Sequence, residues 1–274
     1  MLKRFSTLVL CLCALNGYAW NMQGHQVVAQ VAFDHLTPNA KEMCHKYLNP
    51  RSKKSLKANF IAASIWLDLI KIKNIHWYDT FHYIDIPFSS DGSTLPSVET
   101  TNAVRGINNA LSVLSAKKTK AVDKRLALLI LIHLVGDIHQ PLHAVTRVTN
   151  QLPQGDLGGN LFPLGANKVG NNLHKYWDNG AGFFMGHSRL EQIKSKARLL
   201  ENKWSCSAVK MQKNPEQWAK SSHQLAVSQV YQINPKEIPN KQYQLNAQNV
   251  IQKQTVIAGC RLAFLLNDLA KKPR

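Results

Sequence analysis

Acidic side chains are scarce in this chain of 274 residues: 16 Asp and Glu stand against 34 Lys and Arg, a formal net charge of +18. This excess of positive charge favours polyanionic partners, either nucleic acid or an anionic membrane surface, although some basic proteins are merely soluble. Beyond residue 19, no stretch is long and apolar enough to span a bilayer, which excludes a membrane-spanning helix from that part. Hydrophobic residues make up 45% of the chain, which excludes global disorder.

Residues 1–19 have the pattern of a secretory signal peptide. Lys3 and Arg4 precede a short apolar run at 5–15, and small residues end at Ala19. The run is too short for a membrane span. We expect cleavage after Ala19, a mature domain of residues 20–274, and a secreted or periplasmic protein.

Cysteines are few for an exported protein. The predicted mature chain keeps Cys44, Cys206 and Cys260, which allow one intramolecular disulfide and leave one thiol over. We favour a bond between Cys206 and Cys260 because both lie in the C-terminal helical region. The other pairings remain open on sequence alone.

The helical spacing of apolar residues dominates the chain, and strand signals are scarce. Buried or amphipathic helices are predicted over 58–72, 102–114, 122–140 and 247–269. Residues 82–86 favour extended backbone, and 87–97 and 144–171 are predicted loops. A loop as long as the second is usually functional or disordered. With no internal repeat and no composition shift, the sequence predicts a single, mainly α domain.

Histidine and aspartate recur four residues apart in otherwise apolar surroundings. His133 and Asp137 would share one face of a helix, in a segment without Lys or Arg. Burial of a carboxylate without a counter-charge is costly, so we infer that a metal cation supplies it. His174 and Asp178 repeat the spacing, and a proline before His143 can turn that histidine inward. These five side chains are of the types that bind zinc.

Further candidates lie elsewhere in the chain. Asp68 is an acid within an apolar stretch, His82 and Asp85 lie three residues apart, and Trp20 and His25 lie at the predicted new N-terminus. A free α-amino group can bind a metal at modest cost. Each feature alone has an ordinary structural explanation, but their co-occurrence does not. The remaining histidines are interpreted as structural or surface residues: His35, His45, His76, His139, His187 and His223.

The joint pattern resembles the zinc-dependent single-strand-specific nuclease and 3′-nucleotidase family of secreted fungal and plant enzymes, which has bacterial members. The matching motifs follow in the family's order, from Trp20 to about Asn267. They are Trp20-Asn-Met-Gln-Gly-His25, Trp66-Leu-Asp68, His82-Tyr-Ile-Asp85, His133-Leu-Val-Gly-Asp137-Ile-His-Gln-Pro-Leu-His143, Gly158-Gly-Asn160 and His174-Lys-Tyr-Trp-Asp178. The resemblance implies a mainly α fold with long loops around a cleft and three zinc ions at its bottom.

Ligand roles carry over residue by residue from this resemblance. One zinc would be held by Asp68, His82, His133 and Asp137. A second would be held by the amino and carbonyl groups of Trp20, by His25 and by a bridging Asp137. The third would be held by His143, His174 and Asp178.

The resemblance also implies roles toward substrate. Asp68 and Asp137 would be catalytic, with Asp68 able to orient the attacking water. Tyr83 lies where fungal members have a stacking Phe, Asp85 matches a base-contacting acid, and Asn160 matches an asparagine that lines the cleft. The chain departs from the fungal pattern in its fewer cysteines, its lack of Asn-x-Ser/Thr sites and the histidine at 139.

The implied activity is hydrolysis of single-stranded DNA and RNA to 5′-nucleotides by a zinc-activated water, with 3′-nucleotides as further substrates. A monomer without a stable protein partner is expected. The nearest alternative is zinc-dependent phospholipase C, which shares the scaffold but typically has Glu where this chain has Asp178. A non-catalytic secreted binder of zinc or nucleic acid would predict an incomplete ligand set, whereas all nine positions are filled.

Overall fold

The computed structural model describes residues 20–48, 53–209 and 212–271, so the predicted signal peptide, residues 1–19, lies outside the described residues. Within these ranges the chain is mainly α-helical, as predicted. None of the described helices has both the length and the apolar character needed to cross a membrane. The helices are α1 (Met22–Asp34), α2 (Pro38–Leu48), α3 (Leu56–Ala63), α4 (Trp66–Ile72), α5 (Ala103–Ser115), α6 (Ala121–Asp137), α7 (Leu173–Asp178), α8 (Leu190–Lys203), α9 (Pro215–Leu225) and α10 (Lys241–Lys271).

Helix α6 runs through the interior of the molecule. It packs against α5 and also contacts α2, α4 and α10. Leu131, Ile132, Leu134 and Val135 are almost completely buried, so the second half of the helix has no solvent-facing side. This burial explains a sequence that is apolar in every direction around the helix rather than along one stripe. It also places the polar side chains of this segment inside the protein.

Two apolar clusters surround the interior polar residues. One is formed mainly by α2, α3, α5 and α6, and the other mainly by α1, α7 and α8. Helix α10, with 31 residues, joins both, because Ile251 and Val256 pack in the second cluster and Leu262 and Leu266 in the first. The candidate site lies where α1 and α7, from one cluster, meet α6 from the other.

The predicted helix over 58–72 is interrupted. It divides into α3 and α4, and Ile65 between them has φ of −110°. The hydroxyl of Ser64 donates to the carbonyl of Ile61 at 2.7 Å, and the carbonyl of Ser64 accepts from His133 Nδ1 at 2.6 Å. The break therefore frees a backbone acceptor that a continuous helix would have used internally.

The predicted loops contain two short strands. Strand β1 (Pro87–Ser89) pairs in parallel with β2 (Thr146–Val148), and Phe88 faces Arg147 in the register. The predicted loops 87–97 and 144–171 are therefore partly wrong, and the extended stretch predicted at 82–86 precedes β1 instead of forming it. Three-residue strands are too short to show an alternating pattern in the sequence.

The structure pairs Cys206 with Cys260, as we favoured from the sequence, and leaves Cys44 as a buried free thiol. The bond joins the segment after α8 to the middle of α10. It therefore ties the second apolar cluster to the helix that both clusters share.

We expect the double variant Cys206→Ala/Cys260→Ala to lose about 2–4 kcal/mol of unfolding free energy, because the disulfide closes a loop with a sequence separation of 54. Urea denaturation with and without a reducing agent measures this loss. The reductant should destabilise the wild-type protein and leave the variant unchanged. Equal unfolding free energies of the wild-type protein and the variant, both measured without reductant, would contradict the expectation.

Candidate metal centre

Five polar side chains from four separate segments meet beside the end of α6. Helix α6 supplies His133 and Asp137, α1 supplies His25 and α4 supplies Asp68. His82 is the last residue of a short 3-10 turn, Asp79–His82. All five are buried, with at most 3% of their surface exposed. The sequence predicted each of them as a metal ligand, and the structure brings them together.

The carboxylate of Asp137 lies at the middle of this group. Its Oδ1 is 3.2 Å from His25 Nε2, while its Oδ2 is 3.0 Å from His82 Nδ1 and 3.3 Å from His133 Nε2. On the far side, His133 Nε2 is 3.7 Å from Asp68 Oδ1. The two oxygens of one aspartate thus face different histidines, which is the arrangement expected of a group shared by two cations.

A second group lies where the turn after α6 meets α7. His143 follows Pro141 in a 3-10 turn, as the sequence suggested, and α7 carries His174 and Asp178 one helical turn apart. His143 Nε2 is 3.1 Å from His174 Nε2, and His174 Nε2 is 3.4 Å from Asp178 Oδ2. All three side chains are buried.

Backbone carbonyls orient three of the imidazole rings. The Nδ1 atoms of His133, His143 and His174 lie 2.6–2.7 Å from the carbonyl oxygens of Ser64, His82 and Gly158, respectively. Each carbonyl can only accept, so each Nδ1 carries the proton. In the neutral form of each ring, the Nε2 atom then presents its lone pair to the interior of the site.

The ring nitrogens of these histidines lie in positions that suit binding of a cation. His143 and His174 point two Nε2 lone pairs at each other across 3.1 Å, and His133 Nε2 lies 3.1 Å from His82 Nδ1. Among the described residues, Asp68 Oδ1, both oxygens of Asp137 and both ring nitrogens of His25 have no hydrogen-bond partner. Buried polar atoms are rarely left in this state. The donors form three groups that fit metal ions: His25, His133 and Asp137; Asp68, His82 and His133; and His143, His174 and Asp178.

The electrostatics of the carboxylates agree with this fit. Burial opposes ionisation of Asp137, but His133 and His82 outweigh it and hold the pKa of Asp137 well below its usual range. At Asp178, burial outweighs the hydrogen bond from Gln140 and raises the pKa of the carboxyl well above the usual value. An ionised Asp178 therefore needs a cation close by.

Trp20 closes the site from the side of α1. Its side chain is fully buried, its indole Nε1 donates to the carbonyl of Gly136 at 3.1 Å, and its ring meets Phe184 edge-on. A Cβ atom on Gly136 would lie 2.9 Å from His25 Nδ1, so only glycine lets α6 approach this histidine. Trp20 is thus adjacent to His25 and Asp137, and its role as a ligand through main-chain groups stays a prediction.

A cleft of about 450 Å³ opens beside these groups. Its lining includes Asp68, His174, Asp178, Asn160 and Lys175. Predicted ligands from both halves of the site therefore reach one solvent-accessible space.

A model of the S1/P1 Nuclease family matches residues 20–271. The chain belongs to the S1/P1 nuclease family. Endonuclease 5 of Arabidopsis thaliana is 27% identical, covering 98% of this chain and 97% of its own length. Nuclease S1 of Aspergillus oryzae is 25% identical, covering 98% of this chain and 97% of its own length. The protein is thus a phosphodiester hydrolase that acts on nucleic acid, and the phospholipase alternative is not favoured.

Of the three predicted substrate residues, one is among the lining residues of this cleft. Asn160 lines it, whereas Tyr83 and Asp85 are not among its described lining residues. The backbone between them is fixed to the second group, because the N–H of Ile84 donates to the carbonyl of His143 at 2.8 Å. Tyr83 is 39% exposed and accessible to a ligand, and burial together with Asp156 raises the pKa of Asp85 to about 7.

Gln140 positions a predicted ligand, a role that the sequence did not reveal. Its amide nitrogen donates to Asp178 Oδ1 at 2.7 Å, and its amide oxygen accepts from the N–H of Leu142 at 2.6 Å. Gln140 thereby holds the carboxylate of Asp178 against the turn that carries His143. The available signal was an uncharged polar residue beside a proline in an apolar segment.

Asp156 was missed as well. This fully buried acid accepts from the N–H groups of Arg147 and Gly159 and from the hydroxyl of Tyr231, at 2.9–3.1 Å. It shapes the loop whose Gly158 carbonyl orients His174. An acid among glycines in a long loop was the signal for it.

His139 faces away from the metal-binding groups. Its Nδ1 donates to the carbonyl of Val135 at 2.7 Å, and its Nε2 accepts from Arg261 Nη1 at 2.8 Å. Burial, followed by the charge of Arg261, lowers the pKa of His139 to about 3, so the ring is neutral. This agrees with a structural role that connects α6 to α10.

We expect Asp85→Asn to become more stable relative to wild type as the pH rises. The folded chain keeps a proton on Asp85 up to pH about 7, whereas an unfolded chain releases it near pH ~4. Between these two pKa values, the unfolding free energy of the wild-type protein therefore falls as the pH rises, whereas that of Asp85→Asn does not. Denaturant titrations at pH 5.5 and 8 should show the difference growing by roughly 1–3 kcal/mol.

Asp123→Asn, at the exposed start of α6, is the matched control for loss of one carboxylate from this basic protein. A stability difference for Asp85→Asn that stayed constant with pH would show that burial does not perturb this carboxyl.

Proposed function

We propose that this nuclease uses zinc to hydrolyse single-stranded DNA and RNA to 5′-nucleotides and to remove the phosphate of 3′-nucleotides. The observation that carries the proposal is the set of inward-facing histidine lone pairs and unpartnered carboxylate oxygens beside one cleft. Nitrogen and oxygen donors of this kind, in small groups, are the ligands that zinc takes in catalytic sites.

Three zinc sites are proposed from these donors. The first uses Asp68, His82, His133 and Asp137; the second uses His25, Asp137 and the main chain of Trp20; the third uses His143, His174 and Asp178. The shared position of Asp137 supports a bridging role, since its two oxygens face opposite groups. The proposed sites would keep net positive charge, which suits a phosphodiester.

When bound, zinc supplies Lewis-acid chemistry: it acidifies water and stabilises phosphate and leaving-group charge. The chain's own contribution is positioning. Asp68 is buried, borders the cleft and has an oxygen without a hydrogen-bond partner, so it can accept a proton from the attacking water and orient it. Gln140 holds Asp178 in place. Attack on phosphorus with departure of the 3′-oxygen gives a 5′-phosphate product.

Single-strand preference follows if the base beside the departing 3′-oxygen binds at Tyr83 and Asp85. The exposed Tyr83 ring offers a stacking surface, and the carboxyl of Asp85 can hydrogen-bond a base edge. A duplex would have to unstack before its bases could bind in this way. Asn160, on the cleft wall, is placed to contact the phosphate or sugar.

The setting of the enzyme is also a proposal. A monomer exported after removal of residues 1–19 is consistent with the Cys206–Cys260 bond, since disulfides persist in oxidising compartments. The excess of Lys and Arg over Asp and Glu would speed encounter with nucleic acid and make that encounter weaken with salt.

The processed protein should cleave single-stranded DNA to 5′-mononucleotides, stop when zinc is chelated, and recover when zinc is restored. Chromatography of the products, with phosphatidylcholine as a parallel substrate, makes the measurement. Intact DNA together with cleaved lipid would replace the nuclease proposal by the phospholipase alternative.

His133→Ala should lower kcat/KM on DNA by at least about 10³-fold and reduce the zinc bound per chain, because it removes a donor from the deepest part of the site. Metal content is measured by elemental analysis beside the activity. His45→Ala, an exposed histidine on α2, is the matched control and should keep both. Wild-type zinc content and turnover in His133→Ala would refute the ligand assignment.

A further inference from the structure

One wall of the cleft is apolar and open to solvent. Met22, Leu69 and Ile72 line it, and their side chains are 49%, 39% and 62% exposed. Leu69 and Ile72 lie three residues apart and so share one face of α4, and Met22 begins α1. The wall starts directly beside Asp68, a predicted zinc ligand.

The polar side chains around the same cleft are suited to a phosphorylated ligand. Asn160, Asn172, Asn179 and Lys175 all line it, and the pair His174/Asp178 of α7 lies among them. Amides and an ammonium group donate hydrogen bonds to phosphate and sugar oxygens. A cleft that combines an apolar wall with such donors matches a nucleoside, which has apolar base and sugar faces and a phosphate at one end.

The lining of the cleft differs from the surface already assigned to a base. Tyr83 and Asp85 do not belong to its described lining, although Asp68, His174 and Asp178 do. The metal-binding groups therefore have two different candidate surfaces for nucleosides. A 3′-nucleotide has one nucleoside, joined to phosphorus through its 3′-oxygen, whereas a polynucleotide has a second nucleoside joined through its 5′-oxygen.

We propose that Met22, Leu69 and Ile72 bind the second nucleoside, the one that keeps the 5′-phosphate after cleavage. This inference rests on the proposed nuclease activity, with Tyr83 and Asp85 holding the nucleoside of the departing 3′-oxygen. The wall then contributes to cleavage of polynucleotides and not to hydrolysis of 3′-nucleotides. It makes the chain selective for internal phosphodiesters over terminal 3′-phosphates.

The size and charge of the cleft favour this occupant over a lipid. A space of about 450 Å³ is within the range of small-ligand sites, and its lining includes Lys175 and several amides beside the apolar side chains. Side chains left this exposed gain little from folding, and a bound nucleoside would bury their apolar surface.

The test compares two substrates in the zinc-loaded enzyme: the dinucleotide dTpdT and thymidine 3′-phosphate. In Leu69→Ser/Ile72→Ser, we expect the ratio of kcat/KM for dTpdT to kcat/KM for thymidine 3′-phosphate to fall about tenfold, mainly through KM. Thymidine 5′-phosphate should also bind about tenfold more weakly by calorimetry, since it occupies the same wall.

Two comparison variants make the result specific. Leu199→Ser removes a leucine of α8 that is about as exposed as Ile72 and is not among the lining residues of the cleft, and it should leave the ratio within about twofold of wild type. Tyr83→Ala should lower kcat/KM for both substrates and preserve their ratio. Zinc content of every variant is measured to show that the metal groups are intact.

An unchanged ratio in Leu69→Ser/Ile72→Ser would overturn the proposal, and so would an equal loss on both substrates. If the variant lost hydrolysis of phosphatidylcholine instead, the wall would be a lipid surface and the proposal would fail. Failure of the nuclease proposal itself is recognised separately, because wild-type enzyme would then cleave neither nucleotide substrate.

Discussion

The structure depends on one buried carboxylate, that of Asp137. It lies in the interior at the end of α6, and three histidines surround it within 3.0–3.3 Å. No Lys or Arg among the described residues forms an ion pair with it, although the chain is strongly basic. A buried carboxylate of this kind is tolerated only where positive charge neutralises it. The fold meets this requirement by bringing α1, α4 and the turn before β1 against α6. The burial of the Asp137 carboxylate thus determines both which segments pack together and which side chains form the site.

Much of this site could be predicted from residue spacing. The pairs His133/Asp137 and His174/Asp178 are set by the geometry of a helix, which is local and therefore readable in a sequence. The main helices and the Cys206–Cys260 bond were predicted as well. The break at Ser64 was not, because its cause is a hydrogen bond from a histidine far away in the chain.

The features of the site that could not be predicted from the sequence depend on contacts between residues far apart in the chain, many of them made by backbone groups. The carbonyls that orient the histidines carry no signature, since every residue has a carbonyl. Gln140 and Asp156 act by holding other groups in place, and such roles depend on neighbours that only folding brings near. The lining of the cleft belongs to the same class, because it combines residues of α1, α4 and α7 that are far apart in the sequence.

The long segment between β2 and α7 is not uniform, and this affects how the family can diversify. Its first part, around Asn150 to Gln154, is an exposed turn, whereas Asp156 and Gly158 are buried and orient a predicted ligand. Gly158 has φ of +60°, and a Cβ there would lie 2.3 Å from the carbonyl oxygen of Leu142. Insertions are therefore expected to be tolerated before residue 155, whereas after it they would disturb the carbonyl that orients His174. Differences in chain length between members of the family should accordingly concentrate in the exposed turn.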